Sequence, residues 1–343
     1  MSNQARIAWR MGTAIALTLF FFFLLHIPNS FRALNTVAML CGITVFQGGM
    51  MKQRLILIWT SGLMGMAIDA LFREAPWFYL PAYMLLVYTT MHLASRSRDA
   101  ATMMMLVFGY SGSVPTSDLF AADPIVDGFQ RTIGVTIGVL VAILVFHIFP
   151  VKNRSAIHQL EPVRFGRRDL LFLAVSGAVL LCVGATVIKQ YGTFVVMLGL
   201  AWALGLPKQS MAVNRLQLAG LALGNCTALA FLTIFSASSN NPALYIPIIA
   251  TLIGIAAYLG ASHPTLKPAQ GLFSIGVLVP CTFAFHPLAN VTPLFPMFTA
   301  MWIGVIVSSF IFLIFRILEG AEKAVLTFDD PQRAYDLPEQ KAS

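Results

Sequence analysis

The sequence predicts an all-α integral membrane protein with about twelve transmembrane helices, arranged as two parallel six-helix repeats. Three observations support this fold class: the apolar composition, the one-sided placement of basic residues, and the similarity between the two halves. Of 343 residues, 58% are hydrophobic and only 10% are charged, and the mean hydropathy is +0.79. A soluble domain of this length cannot cover so much apolar side chain with polar surface. We therefore expect a protein that works within the bilayer.

The apolar runs divide into segments of the length that a membrane requires, about 20 residues for a helix, or fewer where Gly or Pro interrupts. The predicted segments of the first half are 9–27, 34–49, 54–72, 77–94, 100–113 and 130–149. Those of the second half are 168–188, 192–206, 213–235, 243–260, 268–285 and 297–318. The predicted domains are a first repeat over 1–150, a cytoplasmic linker over 151–167, a second repeat over 168–318, and a polar, disordered cytoplasmic tail over 319–343.

The basic residues predict the orientation of these segments. Of the 22 Lys and Arg residues, 18 fall on the side of the N-terminus, and the other four are Arg32, Arg73, Arg131 and Lys189. Because basic loops remain on the inner side, both termini are expected in the cytoplasm. The formal net charge of +8 then belongs to the inner face. This charge reflects topology and predicts no nucleic-acid partner.

The two halves resemble each other at a spacing of about 158 to 166 residues. "WRMGTAIALT" matches "RRDLLFLAVS", "YLPAYMLLVYTTMHLAS" matches "YIPIIATLIGIAAYLGA", and "SGLMGMAIDALF" matches "AGLALGNCTALAFL". Six spans is an even number, so the two repeats would share one orientation, as in transporters built from parallel repeats. The match also indicates that the first apolar run is a retained helix rather than a cleaved signal peptide.

The second and fifth spans of each half are short and lie near Gly and Pro. Interrupted segments at matching positions of two repeats are typical of a substrate pathway, because frayed backbone is tolerated in a membrane only beside protein or water. The alternative is that these helices simply tilt less or end in re-entrant loops. The sequence leaves both interpretations open.

Two stretches carry a family resemblance. "GLPKQSMAVNRLQLAGLALG", residues 205–224, and the degenerate "TVFQGGMMKQRLILIWTSG" each place a basic residue between a short span and a glycine-studded span. This pattern resembles the fusaric acid resistance and aromatic acid exporter superfamily, as does "QRTIGVTIGVLVAILVFHIFP". The resemblance implies a bacterial inner-membrane efflux protein for aromatic carboxylates or similar small amphiphiles, driven by the proton gradient and often paired with a periplasmic adaptor protein. The short linker departs from larger exporters, which carry a cytoplasmic domain there.

Asp69 is a carboxylate within an apolar run. It shares a helical face with Gly62 and Arg73, and Thr227 is its predicted counterpart in the second half. One interpretation makes Asp69 the proton acceptor of an antiporter, its pKa set by burial and by Arg73. The other is an interfacial Asp69–Arg73 pair that anchors the outer end of the span.

Two arginines are candidates for binding an anionic substrate. Arg131 lies on the cation-poor outer side, where its planar fork suits a carboxylate, although pairing with Asp127 would also explain it. Arg215 falls on the face opposite Gly220 and Gly224, which suggests that it extends to the inner headgroups, whereas the family motif favours a functional role.

The remaining candidates are neutral polar side chains within spans. Histidine titrates near physiological pH and suits a proton relay, although a lone helical histidine is more often a packing residue. Side-chain amides and hydroxyls suit either substrate contacts or interhelical hydrogen bonds. The four residues in this group are His92, His147, Asn225 and Thr227.

The sequence contains no P-loop, no zinc-type His/Glu cluster and no nucleophile elbow, so it predicts neither an enzyme nor a cofactor. The predicted function is an efflux transporter component for small anionic or aromatic compounds. The alternatives are a channel-like protein of the same fold and a non-transporting subunit of an adaptor complex. The expected partners are the lipid bilayer, a small-molecule substrate and a periplasmic adaptor, with a homo-oligomer left open. A major-facilitator fold is disfavoured because "QGGMMKQR" lacks that family's acidic-then-basic loop motif.

Overall fold

A computed structural model describes residues 2–25, 31–41, 48–72, 75–96, 124–150, 165–187, 191–207, 209–236, 242–284 and 294–329. All regular structure in these ranges is helical. The helices of the first half are α1 (Asn3–Leu25), α2 (Phe31–Cys41), α3 (Gly48–Phe72), α4 (Pro76–Arg96) and α5 (Pro124–Ile148). Those of the second half are α6 (Arg167–Thr186), α7 (Gly192–Gly205), α8 (Met211–Ser236), α9 (Pro242–Ser262), α10 (Lys267–Ala284) and α11 (Leu294–Asp329). A short 3₁₀ turn, Pro264–Leu266, precedes α10.

Five of the described helices, α1, α6, α8, α9 and α11, are long and apolar enough to cross a membrane. Their outer surfaces carry large apolar side chains, among them Leu24, Leu223 and Phe310, each more than half exposed. Apolar surface of this extent is stable only against lipid or another protein. The chain is therefore an all-helical, multi-pass membrane protein.

Local sequence accounts for several features of these helices. At the start of α6, the carboxylate of Asp169 accepts a hydrogen bond of 3.0 Å from the Gly166 backbone N–H, one of the free donors at a helix N-terminus. Within apolar helices, threonine hydroxyls donate to the carbonyl four residues earlier, as Thr18 does to Ala14 at 2.7 Å. These bonds satisfy polar groups that water does not reach.

The core includes helix contacts within each half and contacts between the two halves. In the first half, α1 packs on α2 and α5, and α2 packs on α5. In the second half, α6 packs on α7 and α11, and α7 packs on α11. The halves meet where α1 packs on α9, α4 on α6, and α2 on α10. Most of the buried apolar side chains in the described ranges belong to one continuous cluster that includes residues of both halves.

Glycines allow the closest of these helix crossings. A Cβ at Gly138 of α5 would lie 2.7 Å from the Ala33 carbonyl oxygen of α2. A Cβ at Gly304 of α11 would overlap the Val195 carbonyl oxygen of α7. Small residues at membrane-helix interfaces permit this approach of two backbones.

Most of the described helices lie close to predicted segments. Helix α9 (242–262) contains the predicted segment 243–260, and α10 (267–284) is offset by one residue from 268–285. Helix α2 begins earlier than the predicted segment 34–49, of which residues 42–47 lie outside the described residues, and the segment 100–113 lies wholly outside them. Helix α11 continues to Asp329, so residues 319–329 of the expected disordered tail are helical.

Candidate functional site

A groove with a volume of about 500 Å³ runs along the crossing of α1 and α9, where the two halves meet. At this crossing a Cβ on Gly12 would lie 3.0 Å from the Ala250 carbonyl oxygen, and a Cβ on Gly254 would lie 3.3 Å from that of Ala8. The close approach of the backbones leaves a cleft beside it that small side chains do not fill. The residues that line this groove are Ala5, Ala8, Trp9, Gly12, Thr13, Ala16, Pro247, Ala250, Thr251, Gly254, Ile255 and Tyr258.

The groove suits an apolar or aromatic molecule with few polar groups. Its volume falls within the range of about 300–1,000 Å³ typical of small-molecule sites. The aromatic rings of Trp9 and Tyr258 are 62% and 45% exposed, so both remain available to a ligand. Polar contacts come mainly from Thr13 and Thr251, and the Thr251 hydroxyl donates to the Pro247 carbonyl at 2.7 Å. That hydroxyl keeps its lone pairs as acceptors.

Arg10 lies in the helix bundle on the side of α1 away from the groove. Its side chain is fully buried, and its guanidinium carbon lies 4.2 Å from the centre of the Phe146 ring of α5. A desolvated guanidinium over an aromatic face is a favourable cation–π arrangement. Sequence reasoning counted Arg10 only among the basic residues of the inner side. The missed signal is its helical spacing, because Arg10 shares a face with Ile7, Met11 and Ala14, all of which are buried.

Three predicted candidates cannot be assessed as site residues. Asp69 lies within α3 and Arg131 within α5, but the positions of their side chains are outside the described part of the structure. Arg73 lies outside the described residues altogether. The proposed Asp69–Arg73 relationship and the role of Arg131 therefore stay predictions.

Helix α8 carries three candidates with different surroundings. Arg215 is exposed, whereas Gly220 and Gly224 are buried against α10, so the arginine and the glycines lie on different faces. Asn225 is only 6% exposed, in the interface with α10. Thr227 donates its hydroxyl to the Leu223 carbonyl of its own helix at 2.8 Å. Of the three, Asn225 is the one that lies in the protein interior.

The two histidine candidates lie near the ends of α4 and α5. His92 is partly buried, and its ring stacks on Tyr88 of the same helix with centroids 6.4 Å apart. The Nδ1 of exposed His147 lies 2.8 Å from the Ile143 carbonyl oxygen. Each of these two contacts is made within one helix, and a role of either histidine in a proton relay stays a prediction.

Among the described residues, no group of three or more His, Cys, Asp or Glu side chains is close enough to hold a metal ion. No family model, curated protein or solved structure matches the chain.

Proposed function

We propose that this chain is an inner-membrane efflux transporter component for small anionic or aromatic compounds. In this proposal twelve spans form two parallel repeats with both termini in the cytoplasm. Export is coupled to the proton gradient, and a periplasmic adaptor carries the substrate onward. The family resemblance of the sequence and the groove between the halves support this function.

The packing of the helices supports the two repeats. Helices α1, α2, α5 and α9 correspond, in that order, to α6, α7, α11 and α4. Each helix pair in contact within the first group has a corresponding pair in contact within the second group. Thus α1 packs on α2, α5 and α9, while α6 packs on α7, α11 and α4. An arrangement of this kind is expected when two similar units are related by a pseudo-two-fold axis.

The burial pattern supports the same relationship between the halves and indicates which residues correspond. Helices α5 and α11 agree at a spacing of 166 residues, at which Gly304 matches Gly138 and Phe312 matches Phe146. Helices α1 and α6 bury equivalent positions when compared 162 residues apart, so that Phe172 takes the place of Arg10. This register differs by four residues from the sequence match of "WRMGTAIALT" with "RRDLLFLAVS". The shift keeps the same helical face towards the core.

The groove is the single observation that carries the transport proposal. It lies between α1 of the first half and α9 of the second, and its lining is apolar with two aromatic rings and two threonines. In transporters built from repeats, substrates bind where the repeats meet, and relative movement of the repeats exposes the site to either side. A cleft of this size and lining fits an aromatic ring better than a sugar or a nucleotide.

Transport by the purified chain tests the proposal directly. The full chain is reconstituted into liposomes, and uptake of radiolabelled benzoate is measured with and without an imposed proton gradient. We expect gradient-dependent accumulation, reduced strongly by Asp69→Asn if that carboxylate carries the proton. Benzoate movement that depends neither on the proton gradient nor on Asp69→Asn would favour the channel-like alternative. Absence of benzoate movement by the chain alone, with movement restored by an adaptor, would favour the subunit alternative.

A further inference from the structure

The side-chain amide of Asn225 is buried without a hydrogen-bond partner in the described part of the chain. Both its Oδ1 and its Nδ2 lack a partner there, and the residue is only 6% exposed. A buried polar group normally finds a partner, because leaving it unsatisfied costs free energy. An amide with both ends unsatisfied is therefore a site where a ligand could supply the missing bonds.

A second polar atom becomes available on the facing helix. Gly276 of α10 lies against Asn225, whose Oδ1 would be 3.1 Å from a Cβ at that glycine. Pro280 follows Gly276 by four residues inside the same helix. Since proline has no N–H, the Gly276 carbonyl lacks the donor that a helix normally provides. Asn225, with its unsatisfied amide, therefore packs against the turn of α10 in which Pro280 removes a backbone donor.

Both residues lie near the middle of their helices. Asn225 is 14 residues after Met211 in the 26-residue α8, about 21 Å along the axis at 1.5 Å per residue. Gly276 is nine residues after Lys267 in the 18-residue α10, again at the midpoint. Interrupted helices that expose backbone polar groups near the bilayer midplane are characteristic of transporter substrate sites.

We infer that Asn225 and Gly276 form a binding site for the neutral hydrogen-bonding head of an aromatic cargo, a protonated carboxylic acid or a carboxamide. The cargo class in this inference rests on the proposed function. Such a head presents a donor and an acceptor side by side. Its donor is complementary to Asn225 Oδ1 or the Gly276 carbonyl, and its acceptor is complementary to Asn225 Nδ2.

The same chemistry disfavours charged ligands. A carboxylate has acceptors only, and it would face the lone pairs of two further acceptors, the amide oxygen and the Gly276 carbonyl. A metal cation would satisfy those oxygens but would leave the Nδ2 donors unpaired. The site therefore selects the uncharged form of an acid, and an acid that arrives as an anion must take up a proton before it binds here.

Binding of benzamide and benzoate to the full chain in lipid nanodiscs tests this site. Benzamide does not titrate, so its binding is expected to be equal at pH 5 and pH 8. Benzoate binding is expected to fall about tenfold for each pH unit above the pKa of the free acid, because only the neutral acid fits. Benzoate binding that persists at pH 8 and is lost in Asn225→Leu would overturn the inference, because the charged form would then occupy this site rather than the groove.

Asn225→Leu removes the amide while keeping a similar volume. It is expected to weaken benzamide binding at least tenfold, whereas Thr233→Val on the same helix leaves it unchanged. Thr233 is exposed and donates its hydroxyl to the Leu229 carbonyl, so it serves as the control. Asn225→Leu is also expected to raise the unfolding temperature of the ligand-free protein, since it removes two unsatisfied polar atoms. A lower unfolding temperature, or benzamide binding that survives the substitution, would contradict the site.

The outcomes for this site and for the proposed function are separable. If the wild-type chain binds neither probe, the cargo class fails, and the inference fails with it. If benzamide binds equally well to the wild type and to Asn225→Leu, only the Asn225–Gly276 site is overturned.

Discussion

The guanidinium carbon of Arg10 lies 4.2 Å from the centre of the Phe146 ring, and the arginine side chain is fully buried. This pair joins α1 to α5 within the first half. At the positions that the proposed repeat matches to these two residues, Phe172 lies edge-on to Phe312, with centroids 5.4 Å apart. If the two halves are repeats, as we propose, the first places a cation on an aromatic ring where the second places two aromatic rings.

The Arg10–Phe146 contact predicts a measurable coupling. In a double-mutant cycle with Arg10→Met and Phe146→Leu, we expect a coupling free energy of about 1–2 kcal/mol, the range for a desolvated cation–π pair. The free energy of unfolding is measured by chemical denaturation in mixed micelles. Phe22→Leu, a buried aromatic position on α1, paired with Phe146→Leu gives a reference cycle for general loss of packing. Additive effects of Arg10→Met and Phe146→Leu would show that the contact carries no specific interaction.

The glycines at two crossings that the proposed repeat matches to each other predict similar sensitivity to a methyl group. Gly138→Ala would place Cβ 2.7 Å from the Ala33 carbonyl oxygen, and Gly304→Ala would overlap that of Val195. Each is expected to cost about 1–3 kcal/mol, because the helices must separate. Gly271→Ala is the control, since nothing lies within 4 Å of a Cβ there, and it should be neutral or stabilising. Unfolding temperatures that fall for one of the two crossings alone would argue against equivalent halves.

Ser308 makes an interhelical hydrogen bond that substitution can isolate. Its hydroxyl donates to the Gly199 carbonyl of α7 at 2.8 Å, and both residues are buried. Ser308→Ala is expected to cost about 0.6–1.7 kcal/mol, the range for such bonds between membrane helices. Thr299→Val on the same helix is the control, because the exposed Thr299 donates to its own helix at the Phe295 carbonyl. The free energy of unfolding of both variants is measured in mixed micelles. Equal decreases in the two variants would show that the Ser308–Gly199 hydrogen bond makes no specific contribution to stability.

Apolar periodicity predicted where most of the described helices lie, because hydrophobic length is a property of the local sequence. The burial of Arg10 could not be predicted in this way. An arginine near the start of a first span is normally a headgroup residue, and only the packing of α2 and α5 over α1 encloses it. The sequence alone also could not distinguish between two registers of the proposed repeat that differ by four residues. A shift of four residues preserves the helical face and leaves the apolar pattern almost unchanged.

The candidate sites depend still more on tertiary contacts. Asn225 was recognisable as a polar residue in a span, but its burial without a partner depends on the packing of α8 on α10, which no local pattern reveals. The groove depends on the crossing of α1 and α9, which are more than 200 residues apart in the sequence. The sequence predicted an interface between the halves, but not which helices form it.

The proposed function has cargo pass through the groove between α1 and α9, whose lining includes neither Asn225 nor Gly276, and benzoate transport by groove variants tests this role most directly. Ala16→Phe places a ring in the groove, whereas Ala185→Phe makes the same change on the exposed surface of α6. As a control for correct folding, both variants must show the wild-type unfolding temperature in nanodiscs before transport is compared. Benzoate transport is then measured in liposomes with an imposed proton gradient. We expect Ala16→Phe to reduce transport at least tenfold, which corresponds to about 1.4 kcal/mol. Ala185→Phe is expected to stay within about twofold of the wild type. Wild-type transport by Ala16→Phe would contradict the account.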